Sequence, residues 1–204
     1  MSGPAPITPA ALNELQQHAQ RQRQWQTMWQ APADSVAAEG QIIVLTGNGI
    51  GKSNTAFGMG MAVLAQNRRL AVVQFLETPE ASPARQFLGR HPLCEFTTFG
   101  HEATWQAQHR STDTELTRLA WSFAIEKMRQ SDLAMIILDD INPMLYHNYL
   151  AIDPVLLQLR QRNPALTVVL TGRHAPCELI DMADLCIEMR DKKLPDAPRS
   201  PRKA

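Results

Sequence analysis

A chain of 204 residues is long enough for one α/β domain with a sizeable core and one or two additional segments. Lys plus Arg number 20 and Asp plus Glu number 20, so the balanced charge does not indicate a nucleic acid or a membrane surface as a partner. The sequence has neither an apolar run near the roughly 20 residues that span a bilayer nor the regions of a signal peptide. Its three cysteines lack C-x-x-C or metal-site spacing, so we expect reduced thiols in a soluble, cytoplasmic protein.

The two ends of the chain are expected to lie outside the main fold. Residues 1–40 should form an N-terminal arm and linker, with a polar helix from Leu12 to about Gln30. This helix either lies on the domain, on a partner subunit or over the site, or it is a partly ordered tail. Residues 191–204 are rich in Lys, Pro, Arg and Ser and should form a flexible tail. Residues 41–190 then make up one compact domain.

Apolar runs alternate with helical periodicity along this domain. The runs predict strands at 42–45, 70–76, 93–99, 133–138, 166–171 and 185–189. Helices are predicted at 55–64, 85–88, 113–130, 153–162 and 176–182. The alternation predicts an α/β fold with a mostly parallel sheet flanked by helices, in which ligands bind beyond the carboxyl ends of the strands.

A glycine-rich loop joins the first strand to the first helix. It reads Thr46, Gly47, Asn48, Gly49, Ile50, Gly51, Lys52 and Ser53, and Asn54 follows it. Glycines allow successive backbone N–H groups to converge on an anion, and the helix N-terminus adds its own unpaired N–H groups. Lys52 would contact phosphates and the Ser53 hydroxyl would bind Mg²⁺, so the loop predicts a P-loop. A glycine-rich turn without a ligand is the alternative.

Charged side chains follow two later strands. Asp139 and Asp140 end an apolar strand downstream of the loop, which is the Walker-B arrangement. With Ser53 they are the predicted magnesium ligands, and an ordinary turn at a strand end is the alternative. Arg173 follows the strand at 166–171 and is expected to bind phosphate or to stabilise the local structure.

The motifs of the chain follow the order and spacing of one family. They are T-G-N-G-x-G-K-S at 46–53, A-F-G at 56–58, V-V-Q-F at 72–75, T-W-x-x-Q at 104–108, L-D at 138–139, T-G-R at 171–173 and A-D-L-x-x-E-M-R at 183–190. From roughly Gln41 to Arg190 the chain resembles the P-loop ATP:corrinoid adenosyltransferases, which act on cob(I)alamin or cobinamide. Taken together, these motifs are far more specific than a P-loop alone.

The resemblance implies a P-loop NTPase (RecA-like) fold and transfer of the 5′-deoxyadenosyl group of ATP to the Co(I) centre of a corrinoid, with release of tripolyphosphate. Lys52, Asp140 and Trp105 are implied as catalytic residues. The implied ligand-binding residues are Thr46, Gly47, Asn48, Gly49, Ile50, Gly51, Lys52, Ser53, Asn54, Arg173, Ala103 and Trp105. The resemblance further implies ATP, Mg²⁺ and a corrinoid as ligands, a reduced flavoprotein as electron donor, and a homodimer.

Several site positions depart from the family pattern. Ile50 replaces a Lys, Asn54 replaces a Thr, and Ala103 takes the place of an aromatic residue that adjoins the cobalt. Asp140 is one methylene shorter than the usual Glu, and His174 stands where the family has Gly. Three hypotheses remain. The first is a working adenosyltransferase with altered corrinoid preference or lower efficiency, and the second is a non-catalytic paralogue that binds a nucleotide or a corrinoid. The third is an ordinary P-loop ATPase or kinase.

Overall fold

The computed structural model describes residues 40–76, 82–100 and 110–192. The predicted N-terminal helix, the positions of Ala103 and Trp105, and the tail beyond residue 192 lie outside the described residues. Within the described ranges, no helix is both long enough and apolar enough to cross a membrane.

Strands and helices alternate along the described residues. The strands are β1 Ile42–Thr46, β2 Arg69–Gln74, β3 Cys94–Thr98, β4 Leu133–Asp139, β5 Thr167–Thr171 and β6 Leu185–Glu188. The helices are α1 Lys52–Ala65, α2 Pro83–Leu88, α3 Arg110–Met128, α4 Ile141–Tyr146, α5 Ile152–Arg160 and α6 Cys177–Met182. The predicted elements of the domain are therefore confirmed, with small shifts at their ends, and α4 is an additional helix.

The described strands form a single sheet in the order β3-β2-β4-β5-β1-β6. Every neighbouring pair is parallel, so the prediction of a mostly parallel sheet is confirmed. β1 lies inside the sheet, where Val44 is in register with Leu170 of β5 and Cys186 of β6. The carboxyl ends of β1, β4 and β5 consequently meet at one edge, where ligands of open parallel sheets bind.

Each face of the sheet is covered by its own layer of helices. Alternate residues of a strand point to opposite faces, so Ile42 and Val44 belong to one apolar cluster and Ile43 and Leu45 to the other. Helices α3 to α6 pack on the first face, and α1 with α2 packs on the second. Burial on both faces explains why β1 and β4 are continuous apolar runs.

Helix α4 was not predicted, because it has six residues and includes Pro143. Proline is tolerated here because it stands in the first turn, where the backbone N–H has no partner within the helix. Ile141, Met144 and Leu145 are buried and hold the helix against the core. The helix begins directly after Asp140, so its packing fixes the chain that leaves the carboxyl end of β4.

Candidate active site

The loop between β1 and α1 is packed against the chain that follows β6. Gly49 N–H donates to the Met189 carbonyl at 2.8 Å, and Met189 N–H donates to the Thr46 carbonyl at 2.8 Å. A Cβ atom on Gly47 would lie 2.3 Å from the Met189 carbonyl oxygen, and one on Gly49 would lie 2.8 Å from the Arg190 nitrogen. Glycine is therefore required at these two positions by close approach of the backbone.

Lys52, the first residue of α1, is held over its own loop. Its Nζ donates to the carbonyl oxygens of Gly47 at 2.8 Å and Gly49 at 2.6 Å. Partial burial is the main cause that lowers the pKa of Lys52, and the charge of Arg173 lowers it further. The carboxylates of Asp140 and Asp191 act in the opposite direction. The ammonium group thus lies among charged groups that come from three strand ends.

The loop already holds a carboxylate at one of its amides. Ile50 N–H donates to Oδ1 of Asp191 at 3.1 Å, and the Ile50 side chain is 73% exposed. Because this amide donates to a carboxylate oxygen, its N–H points toward an anionic oxygen, as phosphate binding at a P-loop requires. The backbone of Ile50 therefore fits its predicted role, although its side chain supplies no charge.

Asp139 is a fully buried carboxylate at the end of β4. Its Oδ1 accepts a hydrogen bond from Thr171 Oγ1 at 2.8 Å, and its Oδ2 accepts one from Gln74 Nε2 at 2.9 Å. The Ser53 hydroxyl is a further hydrogen-bond partner. Burial raises the pKa of Asp139, while these three hydrogen bonds and the charge of Arg85 oppose the shift. Asp139 thus connects the P-loop serine with two neighbouring strands.

A chain of polar side chains extends from Asp139 to Arg85. Gln74 Oε1 accepts a hydrogen bond from Thr98 Oγ1 at 3.2 Å, and Thr98 Oγ1 accepts one from Arg85 Nη2 at 3.3 Å. The guanidinium of Arg85 also lies 5.6 Å from the ring centre of Phe96. Gln74 and Arg85 were not among the predicted site residues. A lone glutamine within the apolar run of β2 was the available signal for the first of them.

Asp140 occupies a left-handed backbone conformation with φ of 58° between β4 and α4. Its N–H donates to Thr171 Oγ1 at 3.0 Å, so the same threonine holds both aspartates. Asn142 on α4 donates from Nδ2 to the carbonyls of Gly172 at 3.0 Å and Leu45 at 3.4 Å. These bonds tie the start of α4 to the ends of β5 and β1.

These groups line one cavity of about 560 Å³ at the carboxyl edge of the sheet. The predicted residues in its wall are Gly49, Ile50, Gly51, Lys52, Ser53, Asn54, Asp139, Asp140 and Arg173, and the unpredicted ones include Gln74 and Arg85. Thr46, Gly47 and Asn48 are not in this wall. The Thr46 hydroxyl instead accepts a hydrogen bond from Ala175 N–H at 3.1 Å. Three cations and two carboxylates around such a cavity suit a polyphosphate with a divalent cation.

Comparison with known proteins agrees with this geometry. The family model described as ATP:corrinoid adenosyltransferase BtuR/CobO/CobP matches residues 38–200. A corrinoid adenosyltransferase from a Sinorhizobium species is 39% identical over 160 residues, which cover 77% of this chain and 75% of that protein. The one from Pseudomonas aeruginosa is 33% identical, covering 87% of this chain and 91% of that protein. The one from Escherichia coli strain K12 is 34% identical, covering 76% and 78%. Because the family model matches residues 38–200 and these relatives are more than 30% identical over most of their length, the chain belongs to the ATP:corrinoid adenosyltransferase family.

Proposed function

We propose that this chain transfers the 5′-deoxyadenosyl group of ATP to the Co(I) centre of a corrinoid. The observation that carries the proposal is the cavity in which the P-loop, Asp139, Asp140 and two arginines meet, in a chain of this family. Co(I) attacks C5′ of ATP and forms the Co–C bond. The C5′–O bond breaks, its electron pair leaves with tripolyphosphate, and cobalt ends as formal Co(III).

The chain's own residues act on the leaving group. Tripolyphosphate carries a large negative charge, which Lys52 and the loop amides stabilise when the C5′–O bond breaks. Arg85 and Arg173 line the same cavity and add positive charge on its other walls. Lys52 and the Ile50 amide are already directed at oxygen atoms, and binding of ATP would exchange these partners for phosphate oxygens before the C5′–O bond breaks.

The residues present also fit Mg²⁺. Ser53 and Asp139 are joined by a hydrogen bond, and Asp140 lines the same cavity, so one hydroxyl and two carboxylates are available as oxygen ligands. Mg²⁺ prefers such ligands together with phosphate oxygens and waters. We propose that Ser53 and Asp140 hold the ion and that Asp139 orients Ser53. When bound, Mg²⁺ supplies charge neutralisation for the triphosphate.

The electron donor, the oligomeric state and the location belong to the proposal as well. A reduced flavoprotein as the source of Co(I) and a homodimer rest on the family resemblance, and light scattering of the purified protein tests the dimer. A cytoplasmic location is supported by the described cysteines, Cys94, Cys177 and Cys186, all of which are free thiols.

An anaerobic assay tests the reaction itself. Purified protein, Mg-ATP and a chemically reduced corrinoid should yield a light-sensitive Co–C bond, seen in the absorption spectrum, together with tripolyphosphate. ADP with inorganic phosphate would indicate an ordinary P-loop ATPase instead. A binding paralogue would instead bind its ligand tightly without any spectral change. This result must hold for every corrinoid tried, under conditions in which Co(I) is maintained.

A further inference from the structure

A second cavity, of about 450 Å³, opens at the same edge of the sheet as the nucleotide cavity. The two cavities share chain segments: Arg173 lines the first and His174 the second, while Pro143 of α4 lines the first and Tyr146 the second. The second cavity has the size of a small-molecule subsite. None of the ligand roles assigned above uses it.

Two aromatic side chains form a ledge in the wall of this second cavity. The rings of Tyr146 and His174 are stacked, with centroids 4.6 Å apart and planes inclined by 27°. Tyr146 is 55% exposed, and His174 is also exposed. Ring burial in the core therefore does not account for this pair. Stacked rings with accessible area form a surface on which a further planar ring can stack.

The backbone at the ledge is held in an uncommon conformation. His174 has a φ of 57° and Asn148, also in the wall of the cavity, has a φ of 58°. This left-handed region is disfavoured for residues other than glycine, and such residues concentrate at binding sites. The family pattern has Gly at the position of His174, so this chain carries a ring where the backbone alone would favour glycine.

The chemistry of the wall selects an uncharged planar ring. Of the described residues that line the second cavity, none is Lys or Arg, and Glu178 contributes a carboxylate. The Glu178 carboxylate would repel a phosphate group there, whereas a heterocycle finds ring faces to stack on, the Asn148 amide for a ring nitrogen, and the Glu178 carboxylate for an amino edge where the ring has one. The stacked rings and the charge of the wall therefore both favour an uncharged planar ring as the ligand of the second cavity.

We propose that the Tyr146–His174 ledge binds a planar nitrogen heterocycle next to the nucleotide cavity. Two substrates could present such a ring: ATP through its adenine, and a complete corrinoid through the base of its nucleotide loop. The choice of these two sources rests on the proposed function, whereas the ledge itself rests on the geometry.

Ligand-observed NMR with small heterocycles tests the ledge without ATP turnover or reduced cobalt. Adenosine and 5,6-dimethylbenzimidazole are each titrated against the full chain, and at least one should show saturation transfer. Tyr146→Ala and His174→Gly should each weaken that ligand at least about fivefold, the usual effect of losing a stacking ring. Tyr146→Phe, which keeps the ring, should bind as the wild type does.

The source of the ring is read from a second pair of measurements. If the ring is adenine, Tyr146→Ala and His174→Gly weaken ATP binding but leave tripolyphosphate binding within twofold of the wild type. If the ring is the corrinoid base, the two variants bind both ATP and tripolyphosphate as the wild type does, and only their binding of 5,6-dimethylbenzimidazole is weakened. Tripolyphosphate binding by a variant additionally shows that this variant is folded. If the wild type does not bind tripolyphosphate, the result counts against the nucleotide site rather than against the ledge.

Phe87→Ala provides the matched control. Phe87 lies on α2, whereas Tyr146 lies on α4. Phe87 is 50% exposed and forms a ring pair with His91, with centroids 5.6 Å apart. Its removal should leave the binding of both heterocycles unchanged. The proposal is overturned if neither heterocycle binds, if both ledge variants bind like the wild type, or if Phe87→Ala weakens binding as much as they do.

Discussion

Asp139 carries a carboxylate into a fully buried position, and its neighbours determine what this costs. Burial favours the protonated form, whereas hydrogen bonds from Thr171, Ser53 and Gln74 favour the ionised form. Burial is the larger cause, so the pKa of Asp139 lies above its ordinary range. Ionisation of Asp139 therefore lowers the stability of the folded protein.

This shift predicts how stability depends on pH. In the unfolded chain Asp139 loses its proton near pH 4, whereas in the folded chain it keeps the proton to higher pH. The free energy of unfolding of the wild type should therefore fall, relative to Asp139→Asn, as the pH rises above about 4. Urea unfolding of both proteins at a series of pH values measures this difference, and a difference that does not change with pH would contradict the prediction.

Asp132→Asn is the control with the opposite sign. Asp132 is exposed, and its hydrogen bond with Arg69 lowers its pKa. Its contribution to stability is present above the ordinary pKa and is lost as the pH falls through the lowered value. The difference between the wild type and Asp132→Asn should therefore shrink toward acid pH, and it should be small because the pair is exposed.

Lys52→Ala should weaken tripolyphosphate binding by about 10- to 100-fold, because a hydrogen bond to a charged partner contributes about 1.5–3 kcal/mol. Calorimetry with tripolyphosphate measures the effect without requiring a corrinoid. Arg129→Ala, at an exposed position after α3, should bind as the wild type does. Equal affinity of Lys52→Ala and the wild type would overturn the assignment of the P-loop.

At the scale of the element, α4 is the helix that begins directly after the predicted magnesium ligands, Asp139 and Asp140. Asn142 is fully buried, and both of its observed hydrogen bonds use the amide as a donor to carbonyl oxygens. Its Oδ1 is buried without a hydrogen-bond partner among the described residues. The side chain is therefore retained at a cost, which its two bonds to the ends of β1 and β5 offset.

Two variants of Asn142 separate the effect of the donor from that of shape. Asn142→Ala should lower the free energy of unfolding by about 1–3 kcal/mol, because it removes both bonds. Asn142→Asp is closer in shape, but it places a carboxylate against two carbonyls and should cost several kcal/mol, more than the alanine variant. Denaturant unfolding gives the order. If the aspartate variant is the more stable of the two, the donor role assigned to Asn142 is wrong.

Replacement by alanine should have opposite effects at Gly49 in the loop and at Gly58 in α1. A Cβ on Gly49 meets the backbone of Met189 and Arg190 at 2.8 Å, whereas a Cβ on Gly58 in α1 meets nothing within 4 Å. Gly49→Ala should lower both the melting temperature and the affinity for ATP, because the loop must move away from the chain after β6. Gly58→Ala should raise stability by about 0.4–1 kcal/mol and leave ATP binding unchanged.

Thermal unfolding and calorimetry of the two variants measure this contrast. The close approach at Gly49 would be disproved if the two alanine variants had the same melting temperature. Equal stability of Gly58→Ala and the wild type would instead show that the exposed position in α1 does not gain from the lower entropy of the unfolded chain.

At the scale of the whole molecule, the sequence predicts the parts of the fold better than their arrangement. The strands were recognised because parallel strands buried on both faces are continuous apolar runs, as in β4. The order of the strands was not predicted, because the place of β5 between β4 and β1 results from tertiary pairing. α4 was missed because a six-residue helix containing Pro143 has the composition of a turn.

The same distinction applies to the site. Lys52, Ser53, Asp139 and Asp140 were predicted from local motifs, and the structure brings them to one cavity. The role of Arg85 depends on contacts between separate elements, so no local pattern indicates it, whereas the lone glutamine in the apolar run of β2 was a signal for Gln74. Ala103 and Trp105 lie outside the described residues, so their roles stay predictions.

The pairing of β1 has a consequence for how the protein is made. β1 is the first described strand to be synthesised, yet its two neighbours in the sheet are β5 and β6, the last two. A nascent chain carries the complete P-loop sequence long before the strands that support it leave the ribosome.

A chain that ends at Met182 should therefore fail to be retained on immobilised ATP, whereas the chain of 204 residues should be retained. Retention of the shortened chain would show that β1 and α1 hold the loop without β6. We therefore expect the loop of residues 46–53 to lack its contacts with Met189 until residues 185–190 are made.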